Sequence, residues 1–316
     1  MMGIRIQLAS AAAALVALAG SGHAADLRMR VKALPPPVVA NWTGWYVGAS
    51  AGYGWGRADV DPAGVNLFCN PALGGCGPFV IPGGLPADVA SVVAIPPVVT
   101  PTSRGGLLGG TFGYNQQFGQ WVAGLEADFS WASITGSAAA TGGPAVLAPG
   151  PGGTSFIGFA TASNTLQDFG TVRGRLGFTP TPPVLLYATG GLAFGRLTSS
   201  AAVTEAAVGP CGLALGCPFT AAAGSSASTH AGWTVGAGGE WAFASQWSLK
   251  GEYLYYDIRG TSYGLMPLLS STGSLTGVAP APFTSVAVAA TTSDFRGSIV
   301  RVGLNYKFSS GPLFPR

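Results

Sequence analysis

Charge is what this chain has least of. Asp, Glu, Lys and Arg make up 9% of its 316 residues, against about 25% in ordinary soluble domains. Long apolar runs are also missing, although mean hydropathy is +0.40. Residues 8–20 form the only continuous apolar stretch, too short for a spanning helix of about 20 residues. It follows Arg5 and ends in Gly22-His23-Ala24. A basic start, an apolar middle and a small-residue end predict a secretory signal peptide cut after about Ala24, the alternative being a retained anchor. An exported, apolar chain without a spanning helix has one solution in lipid. Its backbone polar groups must all be paired, which only a closed β-barrel achieves.

Other absences narrow the function. No Lys/Arg-rich run accompanies the net charge of +3, so nucleic acid is not an expected partner. No Gly-x-Gly-x-x-Gly phosphate loop and no Cys-x-x-Cys pair occur, and no cofactor or metal is expected. The four cysteines fall as two close pairs, Cys69 with Cys76 and Cys211 with Cys217. In an exported chain such pairs predict disulfides closing small loops; a four-thiolate zinc site is the alternative. Once the signal peptide leaves, His230 is the one histidine. A lone histidine near a strand end is a weak basis for catalysis even with a serine nearby.

What is present is alternation. In the last strand, Arg296 to Phe308, Val300, Val302, Leu304, Tyr306 and Phe308 share one parity and Arg301, Gly303, Asn305 and Lys307 the other. Successive side chains on a strand point to opposite faces, so one face is apolar and the other polar or tiny. Seven further stretches behave alike. Trp45 to Gly56 carries Trp45 and Trp55 at the ends of its apolar face. Gly106 to Gln116 comes next, then Trp121 to Trp131, with those two tryptophans at its ends. Gln167 to Phe178 and Val184 to Gly195 follow, the latter with Leu186, Leu192 and Phe194 as its more apolar side. Thr229 to Phe243 bears Trp233 and Trp241, and Trp247 opens the stretch to Ile258. Aromatics at strand ends, with Tyr306 and Phe308 closing the set, are what interface girdles require.

Short connections near residues 118, 181 and 245 alternate with long ones, Arg57 to Arg104, Ile134 to Leu166, Leu197 to Ser228 and Arg259 to Ser293. The fold predicted is all-β: an eight-stranded antiparallel transmembrane β-barrel over residues 44–308, with four long extracellular loops and short periplasmic turns. A soluble eight-stranded calyx would expose the tryptophans to water instead. Residues 25–43, with Pro35-Pro36-Pro37, form an extended periplasmic linker, and 309–316 a tail. Ser155 to Ala162 and Phe283 to Thr291 are strand-like and would extend the barrel above the membrane; the loops' composition also allows disorder.

Nine charged residues take the inward parity: Glu126, Asp128, Arg173, Arg175, Glu240, Lys250, Glu252, Arg301 and Lys307. A ring of charges filters ions in some channels. In a barrel just wide enough for side chains to fill, paired charges instead plug the lumen. Asp168, Arg196, Asp257 and Arg296 share the apolar parity but fall at the extracellular rim.

Several stretches carry a family resemblance. They are Asn41-Trp42-Thr43-Gly44-Trp45-Tyr46-Val47-Gly48, Val172-Arg173-Gly174-Arg175-Leu176-Gly177 and Leu186-Tyr187-Ala188-Thr189-Gly190-Gly191-Leu192-Ala193. Gly232 to Gly238, Lys250 to Tyr255 and the last strand belong with them. Together they resemble the outer-membrane immunogenic proteins of alpha-proteobacteria, porin-like surface antigens with an OmpA-type barrel. The resemblance covers most strands but not the long loops. It implies outer-membrane location and surface exposure, and supplies no catalytic residues. The cysteine-bearing loops and the tail after Phe308 depart from it. The role expected is structural and surface-interacting, in contact with outer-membrane lipid and lipopolysaccharide, with the last strand read by the barrel-assembly machinery. The alternatives are a narrow pore for small solutes and, further off, a lipid-modifying enzyme. What the loops bind is not written in the sequence.

Overall fold

The computed structural model describes residues 41–70, 75–76, 94–146, 155–209, 219–260, 262–270, 272–273, 281–292 and 294–308. The expected signal peptide, most of the linker, the tail, Cys211 and Cys217 lie outside these residues.

Strands run in the order β1 (Gly44–Arg57), β2 (Val60–Asn70), β3 (Gly75–Cys76), β4 (Thr102–Phe118), β5 (Trp121–Thr141), β6 (Ala145–Val146) and β7 (Ser155–Thr181). β8 (Val184–Val208), β9 (Phe219–Ala242), β10 (Trp247–Ile258), β11 (Ser262–Ser270), β12 (Thr272–Gly273), β13 (Ala281–Thr292) and β14 (Phe295–Lys307) follow. Eight of them close a ring, β1-β4-β5-β7-β8-β9-β10-β14, because β14 pairs with both β10 and β1 and β9 pairs with β10. All the pairings are antiparallel. Closure leaves the ring no edge, the condition for a sheet to sit in hydrocarbon.

The faces sort as the alternation requires. Leu125, Trp131, Leu192 and Val302 on the outside are 55 to 69% exposed, while Arg173, Lys250 and Arg301 on the inside are 1% exposed. Burying charge and exposing leucine is the reverse of a water-soluble sheet, and it is the arrangement a lipid-facing wall demands. The side of β8 carrying Leu186 and Leu192 faces out, with Leu185 and Tyr187 inside. Two aromatic belts ring the wall. Trp45, Trp121, Trp241, Trp247, Tyr306 and Phe308 lie at the short-turn end, and Trp55, Trp131 and Trp233 at the other. The Phe118-Gly119-Gln120 turn is tight because Gly119 takes φ +63°, a left-handed conformation that costs glycine least.

Above the outer belt the strands do not stop. β5, β7, β8 and β9 continue, and β11, β13 and β2 pair outward from β9. Val60 bridges to Val99. Much of what the sequence presents as long loop is therefore an extracellular storey of sheet, including the two strand-like stretches in β7 and β13. It has its own apolar core: Val60, Val99, Ala160, Ala162, Ala201, Val203, Ala222 and Leu265. A bulge in β7 between Leu166 and Asp168 joins the two storeys. Below it odd-numbered residues face in, above it even-numbered ones, so one extra residue keeps both interiors filled.

The β2–β3 ladder sets Cys69 directly opposite Cys76. Directly opposed residues on antiparallel strands lie about 4.5–5.5 Å apart at Cα, within disulfide reach. Mass mapping of non-reduced peptides should return a Cys69–Cys76 bond. Cys69→Ser/Cys76→Ser should leave the barrel's unfolding midpoint unchanged, because this hairpin lies outside the ring.

Candidate functional site

The lumen holds the chemistry. Residues two apart on a strand share a face, so Glu126 and Asp128 on β5, Arg173 and Arg175 on β7, and Lys250 and Glu252 on β10 enter the lumen as pairs. Register then sets acid beside base: Glu126 opposite Arg173, Glu252 opposite Arg301, and Lys250 opposite Glu240. Gly52, level with Arg301 on β1, keeps this wall open; a Cβ there would come within 2.7 Å of the Arg301 Cβ.

Every ion in the cluster is paired. Glu126 meets Arg173 at 2.5 Å, Lys250 at 2.9 Å, Arg175 at 3.5 Å and Arg301 at 3.6 Å. Asp128 meets Arg173 at 2.9 Å and Arg301 at 3.0 Å, and Glu252 meets Arg301 at 2.6 Å and Arg173 at 3.0 Å. Glu240 meets Arg175 at 3.0 Å and accepts from Ser248 Oγ and Asn305 Nδ2. Four carboxylates face four cations, and their side chains are at most 4% exposed. Burying an unpaired ion costs several kcal/mol. A cluster that sums to zero, with hydroxyls on the remaining lone pairs, avoids that penalty.

Two tyrosines complete it that sequence alone left out. Tyr46 Oη donates to Glu126 at 2.8 Å and accepts from Arg175, and Tyr187 Oη donates to Glu252 at 3.1 Å. The Arg175 guanidinium lies 3.9 Å from the Tyr187 ring centroid, a cation–π contact between two buried side chains. Their inward parity was the available signal; a tyrosine simply does not announce a charge cluster.

Lys307 is the exception among the nine. It sits one inward step below Asn305, half-buried at the periplasmic mouth, and donates to the Asn41 carbonyl. The remaining eight balance because it is absent from them.

Apolar layers bound the cluster on both sides. Below, Trp42 tucks into the lumen against Val122, Leu185, Tyr187 and Ala242. Its indole donates to the Pro182 carbonyl at 3.3 Å, and its backbone N–H to Gln117 Oε1 at 2.9 Å. What reads in sequence as the entrance to the first strand is a cap on the mouth. Above, Leu107, Ile134, Leu166, Phe169, Leu254, Tyr256, Phe295 and Ile299 fill the bore. The inward face is therefore not polar or tiny throughout, as the last strand alone implied. Apart from the Tyr256 hydroxyl, this narrow bore is filled by side chains with no polar atoms to satisfy.

His230 faces inward near the outer rim, with Nε2 2.6 Å from Ser228 Oγ. A Ser–His pair is two parts of a triad; a third group to orient the ring is needed for nucleophilic chemistry. At the rim Arg196 N–H donates to Asp168 at 2.9 Å, and Arg296 meets Asp257 at 3.1 Å.

Residues 11–308 match the family model for the outer membrane protein beta-barrel domain. The 31 kDa outer-membrane immunogenic protein of Brucella melitensis biotype 1 is 32% identical over 295 residues, spanning 92% of this chain and 95% of its own. The protein of that name from Brucella suis biovar 1 matches equally. Among solved structures, Neisserial surface protein A aligns over 84% of this chain and 98% of its own, at 13% identity and a TM-score of 0.31. That superposition is too loose to add to what the strand pairing and the family match establish.

Arg173, like Arg301, touches three carboxylates, so its removal strands charge on several partners at once. Losing one partner of a buried pair typically costs about 3–5 kcal/mol, against about 0–1 for an exposed pair. Urea unfolding of the refolded barrel should show Arg173→Ala destabilised on that larger scale. The rim variant Arg296→Ala, whose side chain is 57% exposed, should stay close to wild type.

Proposed function

The chain belongs to the outer membrane β-barrel protein family, and on that premise we propose that it is a structural, surface-presenting barrel whose lumen is shut to solutes. One observation carries this reading: a charge cluster of zero net charge is packed between an apolar layer and the Trp42 cap. An ion crossing would have to break pairs at 2.5–3.0 Å and then enter a bore lined by Leu254, Phe295 and Ile299. Neither step is compensated, since a conducting site must bind ions weakly enough to release them. The extracellular storey, rigidified by its own core, is then the working surface. Outer-membrane lipid and lipopolysaccharide surround the wall, and the last strand with Phe308 is the part the assembly machinery would read.

A second reading, the narrow pore, has one observation in its favour. Ser50 Oγ, Thr111 Oγ1, Asn115 Oδ1 and Ser130 Oγ are buried on the β1–β4–β5 wall without a hydrogen-bond partner among the described residues. Buried polar atoms of this kind are commonly met by water, and a file of water along that wall would be the start of a path.

Planar-bilayer recording of the refolded protein separates the two. Wild type should show current indistinguishable from lipid alone. Trp42→Ala and Arg175→Ala combined with Phe295→Ala should open measurable current, by removing the cap, a cation above it and part of the apolar layer. A steady, ion-selective current from wild type, or Arg175→Ala changing selectivity at an unchanged unfolding midpoint, would establish the pore instead.

A further inference from the structure

On the outer wall, just above the lipid-facing belt, three arginines gather on adjacent strands. Arg57 and Arg296 are direct partners in the β1–β14 ladder, and Arg104 on β4 lies opposite Trp55. All three are exposed and share the outward face with Tyr53 and Trp55. Like charges directly opposed across a ladder repel. Arg296 is relieved by Asp257 at 3.1 Å and Asp294 at 3.5 Å. Arg57 and Arg104 are not: among the described residues neither makes an ion pair. The next acid on that face, Asp59, lies a step further from the membrane and accepts from Thr100 Oγ1 at 2.8 Å. An open cleft beside this patch brings together Trp55, Arg57, Thr102, Tyr255 and Arg296, with Asp59 and Asp294 at its outer side; Arg104 lies next to it on the same outward face.

We propose that the outward face between Arg57 and Arg104 binds the phosphate of a phosphorylated glycolipid in the outer leaflet. Depth identifies the anion. Tryptophan and tyrosine sit where acyl chains give way to headgroups, and at that level the anion a membrane supplies is a lipid phosphate. Arginine forks match phosphate oxygens in bidentate geometry, and a phosphate between Arg57 and Arg104 turns a repulsive arrangement into an attractive one. Exposed Leu108 and Val302 on the same wall offer an apolar track for the acyl chains below. The exposed Thr102 and Thr135, which flank Arg57 and Arg104 in register, offer hydroxyls to sugar above. Sugar is what distinguishes a glycolipid from a glycerophospholipid here. The site depends on the barrel's place in the outer membrane and not on whether its lumen is shut.

Native mass spectrometry of the full refolded protein, titrated with bisphosphorylated lipid A, tests it. The comparison ligands are the same lipid A after dephosphorylation, phosphatidylglycerol and inorganic phosphate. Wild type should prefer phosphorylated over dephosphorylated lipid A by about tenfold or more, the scale of one charge-assisted hydrogen-bond set. Arg57→Gln/Arg104→Gln should erase that preference, and Arg104→Gln alone should reduce it. Arg196→Gln, which alters an arginine flanked by Asp168 and Thr229 in the ladder, should retain it. Heat-modifiable gel mobility verifies that each variant is folded. Equal binding of the dephosphorylated lipid, or full preference in the double variant, overturns the site. Competition by phosphatidylglycerol or inorganic phosphate as strong as by lipid A overturns the glycolipid assignment.

Discussion

An ion in the middle of an eight-stranded barrel has no solvent to turn to. The wall around it faces hydrocarbon and the bore is only as wide as the side chains within it, so each buried charge must find its counter-charge there. Glu126, Asp128, Glu240 and Glu252 meet that condition against Arg173, Arg175, Lys250 and Arg301. The rest of the interior depends on it. The strand register that places Glu126 opposite Arg173 and Glu252 opposite Arg301 is also the register that turns Trp131 and Val302 to lipid. A slip of one residue would reverse every face at once.

The same reasoning links the lumen to the surface. The neutral cluster is bounded by Trp42 below and by Leu254, Phe295 and Ile299 above. Strands β5, β7, β8 and β9 run on into the extracellular storey, past the β7 bulge and around a second apolar core. Sheet, rather than flexible loop, is what the protein raises above the membrane over the described residues. A sheet platform of this kind suits the surface-presenting role proposed above.

Most of this fold was legible because a barrel writes its faces into the sequence at period two. Parity alone assigned the lipid face of all eight ring strands and drew eight of the nine inward charges to one place. It failed where its premise failed. Lys307 has the right parity but lies one step too low, at the mouth. Trp42 precedes the strand and folds back into the bore, a tertiary contact with Pro182 and Leu185 that no local pattern encodes. Ile299 and Leu254 are apolar on the inward face, so alternation of apolar and polar, the signal itself, is lost at that height. The upper storey was half legible: Ser155 to Ala162 and Phe283 to Thr291 read as strands, but their partners are far apart in sequence.

The central claim is that the buried charges act as one neutral unit, and a double-mutant cycle on Glu252 and Arg301 tests it most directly. Urea unfolding of Glu252→Gln, Arg301→Gln and the double variant should give two large single losses, each on the scale of about 3–5 kcal/mol for a stranded buried charge. The double loss should fall well short of their sum, because removing both restores neutrality. Small losses that simply add would mean that water already reaches these charges, and would contradict the account.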